Sequence, residues 1–188
     1  MTNDNTPKPA WTCLDCQLAP GASLCRKADG SHTFEQLARA YLADNVDDSP
    51  TDARHRAYDC VSEMVVSAPT AAVGFLIVAC AQCLTPAELA SMAAGPLEDL
   101  LEAHGPLVIS HLEKIAKIDP KFRLMLSGTW GRDRVEPEVW SRLKAAVTPG
   151  PVIDADVRSP AAGMGDKIAT KSQIAVLFAP ASTKATRH

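Results

Sequence analysis
The chain has 188 residues, 46% of them hydrophobic and 22% charged, with a formal net charge of −3. This length allows one domain with a tail, or two very small domains, and the apolar share supports a packed core. The small negative charge, with basic residues scattered rather than grouped beside aromatics, excludes the electrostatic footprint of a DNA- or RNA-binding surface.

The N-terminal segment, residues 1–30, is turn-rich and weakly periodic. Its first ten residues are polar, with Pro7 and Pro9, and lack the basic start and apolar stretch of a secretory signal. Six cysteines without such a signal point to reduced thiols in a cytoplasmic protein rather than to disulfides. Cys13 and Cys16 form a Cys-x-x-Cys pair, which lets two thiolates reach one ion from a tight turn. Cys25 and His32 would complete a tetrahedral zinc site. The alternative is a set of free cysteines with no cofactor. A redox dithiol at Cys13 and Cys16 lacks the usual strand–helix context.

Helical patterning starts at Ser31, where Thr33 and Gln36 have the spacing of a capping box and Phe34, Leu37, Ala38 and Tyr41 share a face. Ser49-Pro50 opens a second helix, with Asp52 in its first turn and Ala57, Val61, Met64, Val65 and Ala68 as its stripe. Pro69-Thr70 opens a third that runs to Leu84. No charged residue lies between Glu63 and Glu88. The strongly apolar part, Ala71 to Ala81, is nevertheless far shorter than the roughly 20 residues a membrane span needs, so the expectation is a buried central helix and no membrane partner.

Prolines then punctuate the chain. Thr85-Pro86 with Glu88 is an N-terminal helix signature, and Gly95-Pro96, Gly105-Pro106 and Asp119-Pro120 repeat the device. Proline fixes φ and pushes the preceding residue out of the helical region, so each of these is expected to be a corner between short helices. On the helix from Pro106 to Ile118, Val108, Leu112 and Ile115 share a face with Leu107, Ile109 and Ala116 at its edges, and Ser110, Glu113, Lys114 and Lys117 lie opposite. Phe122, Met125 and Leu126 mark the next helix, stopped by Gly128. Val139, Trp140, Leu143, Ala146 and Val147 mark a last one, beginning near Pro137.

The series Gly95-Pro96-Leu97-Glu98-Asp99-Leu100-Leu101, His104-Gly105-Pro106, Asp119-Pro120-Lys121-Phe122-Arg123, Gly128-Thr129-Trp130-Gly131 and Val139-Trp140 resembles a family of small bacterial helical proteins of unknown function. The resemblance covers about the middle third of the chain and is carried by the order of these pieces more than by any one. It implies a compact α-helical domain and brings no activity with it.

From Thr148 the composition changes to proline, glycine and small residues, and 148–188 is expected to be a flexible tail. Its one apolar island, Ile174 to Phe178, is β-prone. The architecture expected for 31–147 is all-α, a bundle or short solenoid-like stack of about seven or eight short helices.

Candidate chemistry is sparse. Cys80 and Cys83 form a second Cys-x-x-Cys pair, but in the most apolar helix, where cysteine behaves as a small hydrophobe. His111 borders an apolar face and suits a half-buried structural role, and His104 sits where an imidazole can serve helix-end carbonyls. Glu98, Asp99 and Glu102 form an acidic patch, by default a solvated face. Trp130 and Trp140 bracket Arg132-Asp133-Arg134, and aromatics with arginine carry binding energy at interfaces. No phosphate loop, serine elbow or His-Glu-x-x-His is present. The expectation is a protein-binding or adaptor module using Glu98, Asp99, His104, Trp130, Arg132 and Arg134. A zinc-stabilised module on Cys13, Cys16, Cys25 and His32 and an acid–base enzyme around Glu98, Asp99 and His104 are the alternatives.

Overall fold
A computed structural model describes Cys25 and residues 33–43, 52–148, 150–153 and 171–178. The helices are α1 (Glu35–Leu42), α2 (Asp52–Ser67), α3 (Pro69–Gln82), α4 (Pro86–Met92), α5 (Glu98–Ile118), α6 (Pro120–Ser127), α7 (Pro137–Val147) and α8 (Lys171–Phe178), with a π-helical turn, Ala93–Leu97, joining α4 to α5. No β-strand occurs among the described residues, and the fold is all-α.

The uncharged helix α3 lies at the centre, in contact with α1, α2, α4, α5 and α6. Ala72, Val73, Phe75, Leu76, Ala79 and Cys80 are buried along it. Burying a Phe or Leu side chain contributes about 1.5–3 kcal/mol, so a helix apolar on most of its circumference gains most when neighbours surround it. Aromatic contacts dock α1 onto it: Phe34 and Tyr41 meet Phe75 edge-on at 6.2 and 5.8 Å between centroids. Edge-to-face contact is the favoured arrangement for such rings. At 14 residues α3 is too short to span a bilayer, and among the described residues no helix is long and apolar enough to do so.

Two of the expected capped helix starts are present. Thr85 and Glu88 form the expected capping box, and Asp119 accepts from the Lys121 and Phe122 amides at 2.9 and 3.0 Å. The capping box expected at Thr33 and Gln36 is absent. Phe34 is the N-cap with no side-chain bond, and the Thr33 hydroxyl pairs with the Glu35 carboxylate instead.

The two Gly-Pro pairs interrupt the helices as expected, although no loop separates the segments they join. At Gly95-Pro96 the backbone widens into the π turn, with Gly95 at φ −110°, ψ −105°. Proline removes one amide and crowds the carbonyl four residues back, and a π turn or kink accommodates both. At Gly105-Pro106 the same conflict is relieved at His104, whose backbone is non-helical (φ −141°, ψ 23°), so α5 consists of two helical segments that meet at a kink. The buried face differs in part from the one read from the sequence. Val108, Ile109, Leu112 and Ala116 are buried, Leu107 is 62% exposed, and His111 is exposed rather than half-buried.

Helices α5 and α7 pack closely at Gly105, where a Cβ would come within 3.0 and 3.2 Å of the two Val139 methyls. Arg142 fastens the same pair further along, through Glu113 at 2.7 and 2.9 Å and Ser110 at 2.9 Å. Two pieces of the C-terminal stretch are described. Ile153 returns to the core, its amide donating to the Ser127 hydroxyl at 2.9 Å. The apolar island expected to be β-prone is instead helical as part of α8, with Leu177 and Phe178 packed on the core.

Because the Gly105 contact has no spare room, Gly105→Ala should destabilise the protein by about 1–3 kcal/mol. In a double variant with Val139→Ala the two losses should fall short of additive, as urea unfolding of the four-member cycle will show.

Candidate functional site
The segment from Gly128 to Glu136, between α6 and α7, is wound on itself. The Arg132 amide donates to the Trp130 carbonyl at 2.7 Å, and the Arg134 and Val135 amides both donate to the Gly131 carbonyl at 3.0 Å. Thr129 and Val135 are buried on either side of the tip. Between them Trp130 stands 61% exposed.

Glu98 holds this loop to the core. It occupies the first turn of α5, where a carboxylate is favoured by the helix dipole. It is only 5% exposed, not the solvated residue expected of the acidic patch. One carboxylate oxygen accepts the Trp130 amide, and the other accepts Arg134 at 2.6 Å. The same guanidinium reaches Glu102, one turn along α5, at 2.8 Å. A buried carboxylate is tolerable when its lone pairs are taken by charged or backbone donors, as here.

The other expected residues have separate surroundings. Asp99 and Arg132 are exposed. His104, half-buried at the kink, donates through Nε2 to the Val66 carbonyl on α2 at 2.8 Å, so it serves another helix's end rather than its own. Glu98 and His104 are therefore engaged on different elements and do not form an acid–base pair. Trp140 is half-buried against the core, with the Lys144 ammonium 4.1 Å from its ring centroid. Burial pushes the Lys144 ammonium below the usual lysine range, and nearby Glu98 pulls it the other way. The roles of Glu102 and Lys144 escape a reading of the sequence. The only local sign of Glu102 is its placement four residues after Glu98 on one helix face.

Of the proposed zinc ligands, Cys13, Cys16 and His32 lie outside the described residues. Cys25 is buried, and its carbonyl accepts the Thr33 amide at 2.9 Å. Among the described residues no cluster of three or more His, Cys, Asp or Glu side chains could hold a metal ion. Cys60, Cys80 and Cys83 are also buried. Burial, with Asp119 adding to it, pushes the Cys80 thiol far up, and burial raises Cys83 to about 12 against the opposing pull of Lys121. Thiols held protonated in this way are packing groups and poor nucleophiles.

The fold and the loop together define an all-α domain with one anchored, solvent-facing tryptophan. A sequence model of a family of unknown function, DUF6869, matches residues 46–149, and the chain belongs to that family. No curated protein and no solved structure matches the chain.

Glu98→Gln keeps the shape of the side chain but removes its charge. It should destabilise the protein by about 1–3 kcal/mol, less than a fully buried pair would because Arg134 is half exposed. The Trp130 amide should exchange with solvent faster in the same variant, which NMR hydrogen exchange will measure. The raised thiols give a second expectation. An unfolded thiol ionises near pH 8.5, while Cys83 in the fold does so only at about 12. The unfolded chain therefore loses protons first, and stability present below about pH 8.5 declines as pH rises toward 12. Urea midpoints between pH 7 and 10 should fall more steeply for the natural chain than for Cys80→Ala/Cys83→Ala.

Proposed function
We propose that this chain is a cytosolic protein-binding module without catalytic activity, and that it engages its partner through the 128–136 loop and the adjoining face of α5. The observation that carries this reading is the exposed Trp130, whose backbone is tied to a buried carboxylate. Tryptophan and arginine dominate interface hot spots, and a tryptophan presented on a fixed backbone loses little freedom when it is covered. Arg132 stands exposed two residues on, and Asp99 and Glu102 supply an acidic flank. The polar rim around an aromatic anchor matches the anatomy of a specific interface.

The test is a Trp130→Ala/Arg132→Ala double variant. Both side chains are exposed, so its thermal melt should follow that of the natural chain. Its affinity for a partner captured from the native host should fall at least roughly tenfold, measured by calorimetry with the purified pair. Equal affinity in the two forms would remove the loop from the interface.

A further inference from the structure
We propose that the corner made by the end of α3 and the first turn of α6 is a docking site for a short helix, and that its occupant is the chain's own α8. Lys121 builds the site. Its ammonium donates to the Ala81 and Cys83 carbonyls at 3.3 and 2.5 Å, closing the free C-terminal end of α3. A cation is the group this end of a helix favours. The outer side of the same ammonium faces the Phe178 ring, 4.8 Å from its centroid. One charge thus caps α3 and offers a cation–π contact to whatever aromatic lies over it.

The C-terminal half of α8 carries the described contacts. Leu177 and Phe178 pack on the core, whereas Ala175 and Val176 are exposed. Eight residues are fewer than the ~12–15 that an isolated helix needs to persist in water, so α8 owes its helical state to docking. The sequence joining it to α7 carries Pro160, Gly163 and Gly165, all helix breakers, so α8 is not an extension of α7. A contact through an aliphatic–aromatic pair is strengthened when both partners lie on one chain, because the tether supplies a high effective concentration. The helix α8 is therefore a releasable internal ligand. The site it occupies accepts a helix that ends in an aliphatic–aromatic pair, and α8 competes with any such helix from another chain.

Acetylation of lysines by a water-soluble succinimidyl ester, followed by mass spectrometry of the full chain, tests this directly. Lys144 is the internal reference, because it lies against Trp140 on a different helix. Phe178→Ala should raise the rate at Lys121 roughly fivefold and leave Lys144 unchanged, as expected of a local rather than global opening. An excess of a synthetic peptide with the sequence of α8 should restore the slow rate at Lys121 in that variant. Val176→Ala, at an exposed position, should change neither lysine. An unchanged Lys121, a joint rise at Lys121 and Lys144, a peptide without effect, or equal effects of the two substitutions would each overturn the proposal.

Discussion

The burial of α3 governs the rest of the molecule. The helix α3 carries no charged side chain and is apolar on most of its circumference, and at 14 residues it is too short for a bilayer. Its remaining option is the centre, and each neighbour then needs only one apolar side. Such one-sided helices are what the sequence supplies around it: Ala57, Val61, Met64 and Val65 on α2, Val108, Ile109, Leu112 and Ala116 on α5, and Val139, Leu143 and Val147 on α7. The same constraint explains the cysteines. Cys80 and Cys83 lie at the end of the central helix, where burial keeps them neutral and removes the chemistry a Cys-x-x-Cys spacing otherwise suggests.

Proline has two outcomes here, and what precedes it separates them. Where Thr85, Asp119 or Glu136 stands before the proline, that residue takes an extended ψ of 154°, 103° or 134° and a new helix begins. Thr85 and Asp119 also satisfy the freed amides with their own side chains. Where glycine precedes, the break takes the form of a π turn at Gly95 or a kink at His104, with no loop between the segments. An interior proline costs about 3 kcal/mol in an isolated helix. Leu97, Leu100 and Leu101 on one side of the second kink and Val108, Ile109 and Leu112 on the other are all buried, enough to offset that cost. Local rules foresee the disruption at each Gly-Pro, while tertiary packing decides whether the helix survives it.

Much of the fold is therefore legible in the sequence, and the errors have identifiable causes. The all-α class, the central helix and the capped starts at Thr85 and Asp119 follow from periodicity and local hydrogen bonding, which short stretches encode fully. The face of α5 is misjudged at Leu107 and His111 because the apolar pattern does not say which side of the wheel neighbouring helices cover. The island at Ile174–Phe178 has β-prone residues but folds as a helix, since packing on the core outweighs an intrinsic preference of less than about 1 kcal/mol. The loop is only half legible. Trp130 and Arg132 stand out by residue type, but nothing local shows that Arg134 returns to Glu98, 36 residues earlier in the chain. That contact depends on α5 and α7 already being packed, and a pattern read along the chain cannot contain it.

The link between packing and site runs through this contact. Glycine at 105 lets α7 approach α5 closely enough for Val139 to be buried, and Arg142 on Glu113 fixes how the two helices lie along each other. The loop leading into α7 is thereby drawn over the start of α5, where Glu98 waits with a carboxylate that burial leaves dependent on protein donors. Arg134 and the Trp130 amide satisfy it, and in doing so they fix the backbone beneath an indole that makes little use of the core itself. An exposed aromatic on a free loop would lose roughly 0.5–1.5 kcal/mol of side-chain freedom on being covered, in addition to the ordering of its backbone. Here the backbone share has already been met in folding. A charge that would destabilise the core if left unpaired is thus what holds the surface tryptophan ready, so the stability of the fold and the readiness of the site rest on the same carboxylate.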